Sequence, residues 1–419
     1  MLKTFLSTLI KRGQLTVRIN PNKTWHFGTP DPEHPELDVA IWFASSWTAF
    51  KVAFNPFLYF GEAFTDGDLI VEKGSLWSFM ALIGTNLQHM PKRGRWSRLL
   101  HKFKGLLPAH SLRASRQNVA HHYDLSEALY RMFLDEDMQY SCAYFQHLGV
   151  TLEQAQIDKK DHIAAKLALS PGQSVLDIGC GWGGMALHLA KRDNVNVTGV
   201  TLSTEQLAVA EVRAQAPDVK SRVRFELCDY RKVTGQFDRI VSVGMFEHVG
   251  LAGFDGYFDT VAERLKDDGV ALIHTIGRRG KTGGRSAWLE KYIFPGGYIP
   301  SLSEITDSAE KSGLFITDIE PLRLHYAETM RCWRERFLSH RDEIEKLYDD
   351  RFCRMWEFYL CYCELGFRYG DLMVFQVQLT KKLDTLPMTR DYMMGQDSAK
   401  VLDFEEAAGK LRERPSRLR

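Results

Sequence analysis

The chain has 419 residues, a hydrophobic fraction of 44%, a charged fraction of 26% and a formal net charge of +1. This composition is typical of a folded protein of two or three domains and excludes a disordered or collagen-like chain. The near-zero net charge gives no global polyelectrolyte attraction to nucleic acid, so any electrostatic contact with a partner has to be local.

Residues 1–90 mix strand and helix patterns and are predicted to form a small N-terminal domain that engages lipid. The apolar run at 39–60 is the nearest candidate for a membrane span. Lys51, Asn55 and Pro56 interrupt it, which favours a strand followed by a packed helix. The seven cysteines are scattered and include no CxxC pair, which predicts free thiols in the cytoplasm and no metal site.

Residues 91–116 contain eight Lys or Arg residues and no acid. Apolar residues, Trp96 among them, alternate with the basic ones at roughly helical spacing, which predicts a linker with a basic amphipathic helix. Two interpretations stay open, a helix on an anionic membrane surface and a solvated linker packed on the protein. No nucleic-acid-binding motif accompanies the basic residues, so no nucleic-acid partner is expected.

Residues 117–395 are predicted to be the catalytic domain, because short apolar runs alternate with helical segments. This alternation predicts an α/β fold with a mainly parallel, doubly wound, Rossmann-like sheet. The aromatic-rich stretch at about 278–375 is expected to be a lid-like insertion over the carboxyl edge of the sheet, and 396–419 a polar tail. The predicted strands are 175–178, 195–200, 223–227, 239–243 and 270–274.

The stretch SVLDIGCGWGG (174–184) is an apolar strand that runs into a glycine-rich turn, the pattern of a nucleotide-like cofactor site. A dinucleotide fold would end its second strand with an acid that holds a ribose, but this strand ends VTLS (200–203). Asp177 precedes the turn, where it would repel a pyrophosphate and attract the cationic amino group of a methionine moiety. The turn therefore favours S-adenosylmethionine (SAM) over NAD.

Three further side chains are candidates for the rest of this cofactor. Gln206 is placed to bind the ribose hydroxyls instead of the missing acid, although a surface position on a helix is the alternative. Asp229 and Tyr230 close the third strand, where an adenine would lie.

Polar residues also follow the later strands, where α/β sheets place their sites. Glu247 and His248 follow the fourth predicted strand, and His274 ends the fifth. Cys142 lies earlier in the chain and has no cationic neighbour in sequence, so it is not interpreted as a nucleophile. The acid and histidines at the edge that holds the cofactor predict a reaction site.

Much of residues 115–380 resembles the cyclopropane-fatty-acyl-phospholipid synthase family, which includes the mycolic acid cyclopropane synthases. Residues 55–90 resemble, more weakly, the N-terminal domain of its phospholipid-acting branch. Residues 1–50 and the tail after about 395 match little. The stretches that carry the resemblance are HHYDLSEALYRMFLDEDMQYSCAYF (121–145), VLDIGCGWGG (175–184), GVTLSTEQ (199–206), FDRIVSVGMFEHVG (237–250), LIHTIG (272–277) and KYIFPGGYIPS (291–301).

The resemblance implies that SAM methylates a cis double bond of an unsaturated phospholipid acyl chain, and that loss of a proton then closes a cyclopropane ring. It implies bicarbonate as the base, held by Cys142, Glu247, His274, Tyr326 and the backbone of Ile276. It implies an enzyme on the inner face of the membrane, and leaves a homodimer open. The cofactor residues that it implies are Tyr140, Ser141, Asp177, Gly179, Gly181, Thr201, Leu202, Gln206, Asp229 and Tyr230.

Three alternatives remain open at this point. One is a related fatty-acyl methyltransferase that forms a methyl or methylene branch without ring closure. Another is a methyltransferase for a soluble small molecule, and the third is a catalytically silent lipid-binding protein on the same scaffold.

Overall fold

The computed structural model describes residues 2–19, 23–88, 125–147, 149–280 and 286–394, and helices and strands are numbered through these residues in chain order. The first part of the chain forms a four-stranded sheet in the order β2-β1-β3-β4, in which β1 and β3 are parallel and the outer strands are antiparallel to them. Its elements are α1 (Leu2–Leu9), β1 (Gln14–Ile19), β2 (Lys23–Gly28), β3 (Asp38–Phe43), α2 (Ser46–Phe54), α3 (Pro56–Thr65), β4 (Leu69–Lys73) and α4 (Leu76–Gln88).

A seven-stranded sheet in the order β10-β11-β9-β8-β5-β6-β7 forms the main body. Only β11 runs against the other strands, so the predicted mainly parallel α/β fold is confirmed. The strands are β5 (Ser174–Ile178), β6 (Asn196–Thr201), β7 (Val223–Leu227), β8 (Phe237–Val243), β9 (Leu265–Arg278), β10 (Phe315–Pro321) and β11 (Leu372–Thr380).

Helices cover the sheet, and polar N-cap side chains define where several of them begin. Thr151 caps the helix that begins at Leu152, and Ser301 with Glu304 forms a capping box at the helix that begins at Leu302. The helices are α5 (Glu127–Phe133), α6 (Leu152–Leu167), α7 (Gly184–Asp193), α8 (Thr204–Arg213), α9 (Phe254–Arg264), α10 (Ala287–Tyr292), α11 (Leu302–Lys311), α12 (His325–Ser339), α13 (Arg341–Leu347) and α14 (Asp350–Arg368).

The strand order reverses between β5 and β8. The chain proceeds outward from β5 through β6 to β7, then returns to the other side of β5 with β8 and β9. The loops after β5 and β8 therefore diverge and leave a crevice at their carboxyl ends, which is where open α/β sheets bind ligands.

The stretch at 278–375, predicted to be a lid-like insertion, contributes to the main layers of the sheet. Within it, β10 pairs with β11 at the sheet edge and α11 packs on α9. A lid role for the rest of the stretch stays a prediction. Helices α12 and α14 pack against each other beside the sheet.

Helices α3 and α4 of the first part pack on α10 and α14. Gly61 of α3 permits this contact, because a Cβ there would lie 2.5 Å from Trp288 Cδ1 and 2.7 Å from Phe358 Cε1. Glu62 accepts hydrogen bonds from Lys291 Nζ at 2.7 Å and from Tyr292 Oη at 3.1 Å beside it. The two parts of the chain therefore meet through a close, mostly aromatic contact.

The basic linker at 91–116 and the tail at 396–419 lie outside the described residues. The predicted domain boundaries at about 90 and 117 stay predictions for the same reason. No helix within the described ranges is both long and apolar enough to cross a membrane.

Substitution of Gly61 by Ala is expected to lower the midpoint of thermal unfolding by a few degrees. Overpacking against Trp288 costs about 1–3 kcal/mol, which exceeds the ~0.5–1 kcal/mol that alanine contributes to a helix. Differential scanning fluorimetry without ligand measures the midpoint.

Gly256 of α9 is the matched control, since a Cβ there meets nothing within 4 Å. Gly256→Ala should leave the midpoint unchanged or raise it slightly. Equal midpoints for the two variants would show that the α3 contact tolerates a methyl group.

Candidate active site

A cavity of about 320 Å³ lies in the crevice at the carboxyl ends of β5, β6 and β8. Every residue that the sequence analysis assigned to the cofactor lines this cavity. They are Tyr140, Ser141, Asp177, Gly179, Gly181, Thr201, Leu202, Gln206, Asp229 and Tyr230.

The glycine turn after β5 forms the floor of the cavity. Gly179 has φ +80°, and a Cβ there would lie 2.8 Å from the side chain of Met245. Gly181 has φ +55° and faces open space, so a bound molecule approaches its backbone closely. The turn is thus shaped for contact between backbone and ligand.

Asp177 ends β5 with its carboxyl group buried, at 2% exposure. Its Oδ2 has no hydrogen-bond partner among the described residues. Desolvation raises the pKa of the Asp177 carboxyl to about 7, although the charge of Lys159 opposes the rise. Such an acceptor, unpaired inside a cavity, suits a cationic amino group of a ligand.

Gln206 is a buried residue of the cavity wall rather than a surface helix residue. Its Oε1 accepts a hydrogen bond from Thr201 Oγ1 at 3.2 Å, which fixes the amide at the end of β6. Asp229 accepts hydrogen bonds from the backbone N–H and guanidinium of Arg231, and Tyr230 packs edge-on against Tyr257 at 5.4 Å. These residues give the far end of the cavity both acceptors and an aromatic wall.

Of the predicted reaction residues, His248 lines this cavity, whereas Glu247, His274, Cys142 and Tyr326 lie outside its lining. Glu247 follows Met245 of the lining and accepts a hydrogen bond from the backbone N–H of Ile276 at 2.5 Å. Its other oxygen, Oε2, has no partner within the described part of the chain. Burial raises the pKa of Glu247 to about 7.

His274 lies two residues before Ile276 on β9, on the same face of the strand. Its Nδ1 accepts from Gln376 Nε2 at 3.2 Å, so the proton of the neutral imidazole lies on Nε2. That Nε2 is buried and has no partner among the residues described. Desolvation lowers the pKa of His274 well below its usual value, so the ring is neutral near pH 7.

Cys142 and Tyr326 are joined through Thr329, one helical turn after Tyr326 on α12. The Thr329 hydroxyl accepts from the backbone N–H of Ala143, the residue after Cys142, at 3.0 Å. Cys142 is fully buried and burial raises the pKa of its thiol, which agrees with the interpretation that it is no nucleophile. Tyr326 packs on Phe367, with ring centroids 4.6 Å apart.

Backbone contacts link the segments that carry His274 and Cys142 to the lining of the cavity. The carbonyl of His274 accepts from the N–H of Gly244, a lining residue, at 2.9 Å. A Cβ on Gly244 would lie 4.0 Å from Ser141 Cβ, and Ser141 precedes Cys142. The Ile276 backbone N–H donates to Glu247 Oε1 and so holds the carboxylate, and the assignment of the Ile276 backbone to bicarbonate stays a prediction.

Several residues that shape this region were not predicted from the sequence, Gln139 of the cavity lining among them. His248, which follows the fourth predicted strand, also lines the cavity, and desolvation lowers the pKa of its imidazole to about 4. Gln376 orients His274 from the neighbouring strand. Its signal in the sequence is its place in the mostly apolar run of β11, LMVFQVQLT, which contains two glutamines, Gln376 and Gln378.

The cavity fits SAM by the shape of its glycine floor and by the unpaired acid at Asp177. The reversing parallel sheet and this cavity agree with the predicted class, a SAM-dependent methyltransferase. Among the described residues no cluster of His, Cys, Asp and Glu has the arrangement of a metal site.

Comparisons with known proteins identify the family. The model of the mycolic acid cyclopropane synthetase family matches residues 110–377. Cyclopropane-fatty-acyl-phospholipid synthase of Escherichia coli is 43% identical over 263 residues, 63% of this chain and 67% of that protein. Tuberculostearic acid methyltransferase of Mycobacterium tuberculosis is 38% identical over 369 residues, 85% of each chain.

A solved mycolic acid cyclopropane synthase, complexed with SAH and CTAB, superposes with a TM-score of 0.60 and 33% identity. The match covers 63% of this chain and 97% of that one. The chain belongs to the mycolic acid cyclopropane synthetase family and is a SAM-dependent methyltransferase.

Asp177→Asn is expected to weaken the binding of S-adenosylhomocysteine about ten- to a hundredfold. A hydrogen bond to a charged group contributes about 1.5–3 kcal/mol, and asparagine lacks the charge. Because the Asp177 carboxyl has a pKa of about 7 without ligand, binding of an ammonium group below that pH has to release a proton. Affinity should therefore fall from pH 7 to pH 6, and isothermal titration calorimetry measures both effects.

Asp161→Asn, at a half-exposed carboxylate that contacts His188 and Arg192, is the control and should keep wild-type affinity. Wild-type affinity in Asp177→Asn would show that this acid does not contact the ligand.

Proposed function

We propose that this enzyme is a cyclopropane-fatty-acyl-phospholipid synthase. It transfers the methyl group of SAM to a cis double bond of an unsaturated phospholipid acyl chain and then closes a cyclopropane ring. The observation that carries the proposal is a pair of buried polar atoms beside the cofactor cavity, Glu247 Oε2 and His274 Nε2, for which the described residues supply no hydrogen-bond partner. The likeness to the Escherichia coli synthase over 263 residues supports it.

The reaction has two steps. Methyl transfer to the alkene gives a carbocation, and loss of a proton from the added methyl then closes the ring. When bound, SAM supplies an electrophilic methyl group. The π electrons of the alkene form the new C–C bond as the C–S bond breaks, and the C–S electrons stay on sulfur. The carbocation formed on the acyl chain loses a proton from the added methyl to the base, and that C–H electron pair forms the last ring bond.

Glu247 and His274 offer complementary partners for bicarbonate as the base. Glu247 Oε2 accepts the bicarbonate O–H, and His274 donates Nε2–H to a bicarbonate oxygen, because Gln376 occupies Nδ1. Cys142 and Tyr326 complete the group that the family resemblance assigns to this anion. A small captured anion reaches a methyl proton inside a closed pocket without entry of bulk water.

Aromatic side chains supply the dry surroundings that the alkene needs. Tyr140 of the cavity stacks on Trp333 at 5.1 Å, and Tyr326 meets the same indole edge-on at 5.8 Å. The hydroxyls of Tyr140 and Tyr359 are 2.7 Å apart. The faces of such rings stabilise a nearby cation, which here is the methylated acyl chain.

A second candidate, methyl or methylene branching without ring closure, has its own support. The tuberculostearic acid methyltransferase matches 85% of this chain, including much of the first part. The same cavity and base would serve, since the two reactions diverge after methyl transfer.

The decisive experiment gives purified enzyme isotope-labelled SAM and vesicles of mono-unsaturated phospholipid, with bicarbonate present or removed. We expect label in the lipid, cyclopropane ring protons by NMR, and a rate that falls without bicarbonate. Vinylic methylene or branched methyl signals would establish the second candidate. Equal turnover of soluble acceptors would identify a small-molecule methyltransferase, and no labelled product would exclude both lipid reactions.

Glu247→Gln in this assay should reduce the rate at least about a hundredfold while the affinity for S-adenosylhomocysteine changes less than about threefold. The amide keeps the shape of the carboxylate and loses its charge, so proton removal suffers and cofactor binding does not. In the wild type the rate should fall below about pH 7, as Glu247 becomes protonated.

Glu226→Gln, at a partly exposed residue of β7, is the control for this charge change. Parallel loss of rate and affinity in Glu247→Gln would assign Glu247 to binding rather than to proton removal.

The proposed substrate lies in a bilayer, and α2 offers a surface for peripheral contact with the inner face of a membrane. Trp47, Phe50 and Phe54 are 65%, 52% and 55% exposed on one face of this helix and stack on one another. The helix has no acid, and Lys51 adds a positive charge. Aromatic rings and lysines of this kind favour the membrane–water interface.

The same three rings are too small a surface for a stable dimer. At these exposures, rings of ~150–250 Å² present roughly 250–450 Å², below the ~800 Å² per partner of a standard interface. A homodimer through another surface stays a prediction.

Serine at Trp47, Phe50 and Phe54 together should weaken sedimentation with phosphatidylethanolamine–phosphatidylglycerol vesicles about tenfold or more, because each apolar ring transfers favourably from water. Serine at Val212, Leu383 and Met388, which are exposed elsewhere, is the matched control and should sediment like the wild type. Equal sedimentation of the two triple variants would show that α2 does not contact the membrane.

A further inference from the structure

Lys159 is a fully buried lysine in the middle of α6, beside the cofactor cavity. Its ammonium donates to Gln139 Oε1 at 2.6 Å and to Ser141 Oγ at 2.8 Å. Both acceptors line the cavity. A lysine is rarely buried in full, so its position needs a physical reason.

The helix holds the same segment through a second side chain. Gln156, one turn before Lys159, donates from Nε2 to the carbonyls of Gln139 at 3.2 Å and Ser141 at 3.0 Å. The neutral amide of Gln156 therefore already attaches the backbone at 139–141 to α6. The ammonium of Lys159 adds a positive charge that this attachment does not require.

That charge has no direct counter-ion among the described residues, where none of the ion pairs includes Lys159. Asp137 is bonded to Lys160 and Arg213, and Asp135 accepts backbone N–H groups. Both carboxylates attract the ammonium from a distance, whereas Lys160 repels it. Desolvation outweighs them and lowers the pKa of Lys159 to about 7.

The charge acts on both halves of the site. It opposes the effect of burial on the carboxyl of Asp177 in the cofactor cavity and on the thiol of Cys142. It also disfavours a second positive charge on His274. The ammonium is bonded to Ser141, which lines the cofactor cavity and directly precedes Cys142, so it lies between the two parts of the proposed site.

We propose that Lys159 is a positioning residue for the reaction: its ammonium supplies the positive charge that favours a small anion beside Cys142, Glu247 and His274, and its hydrogen bond orients Ser141 in the wall of the cofactor cavity. A buried cation without a counter-ion is costly, and a bound anion removes that cost. The inference rests on the proposed function, in which bicarbonate is the base.

The test compares Lys159→Gln, which keeps a donor without the charge, with Lys159→Arg, which keeps the charge. Two quantities are measured on the full chain: the bicarbonate concentration at half-maximal rate, and the dissociation constant of S-adenosylhomocysteine. Lys159→Gln should raise the bicarbonate concentration at half-maximal rate at least about tenfold and the dissociation constant of S-adenosylhomocysteine less than about threefold. Lys159→Arg should restore bicarbonate dependence to within about threefold of the wild type.

Lys160→Gln is the matched control, since the adjacent lysine is bonded to Asp137, which keeps Arg213 as a partner. It should leave the bicarbonate dependence unchanged. Circular dichroism of each variant verifies that it is folded, and bicarbonate protection of the cofactor-loaded protein against thermal unfolding gives a readout independent of turnover.

Equal changes in the bicarbonate dependence and in the S-adenosylhomocysteine affinity of Lys159→Gln would show that Lys159 has only a structural role. Wild-type values of both would show that Lys159 has no role in the site. Either result overturns this inference alone, provided the wild type needs bicarbonate. A wild type that is indifferent to bicarbonate would instead overturn the base in the proposed function.

Discussion

Asp177, Glu247 and His274 are withdrawn from water at the carboxyl edge of one sheet, and in the described part of the chain each keeps a polar atom without a hydrogen-bond partner. Protein interiors seldom leave such atoms unpaired, because the lost hydration is not recovered. Desolvation moves all three toward their neutral forms. An ammonium group bound at Asp177, together with a small anion bound at Glu247 and His274, would give a hydrogen-bond partner to all three unpaired atoms.

The rest of the structure maintains this dry edge. The reversal of strand order opens the crevice, and glycines at the floor bring backbone close to a ligand. Aromatic rings from α12 and α14 close one side, and α3 packs on α14 from the first part of the chain. The first part of the chain therefore packs against α14, and α2 of the same part presents an exposed aromatic face.

Much of the fold and cofactor cavity was predictable, because local patterns encode them. The strand SVLDI and its glycine turn, the missing acid after β6 and the buried β8 and β9 are each visible in consecutive residues. The extent of the lid-like insertion predicted at 278–375 was harder to predict, since β10 has no sequence feature that reveals its pairing with β11. Lys159 and Gln156 were missed because LEQAQIDKKDHIAAKL has the polarity of a solvated helix.

The sequence by itself determined the class of fold, the cofactor turn and the identity of the polar residues near it. Only the tertiary structure decided that Ile276 holds Glu247, that Gln376 sets the tautomer of His274, and that Lys159 is buried behind Ser141. These are contacts between segments far apart in the chain. Their energies depend on burial and relative orientation, which packing of the whole molecule creates and which no local run of residues contains.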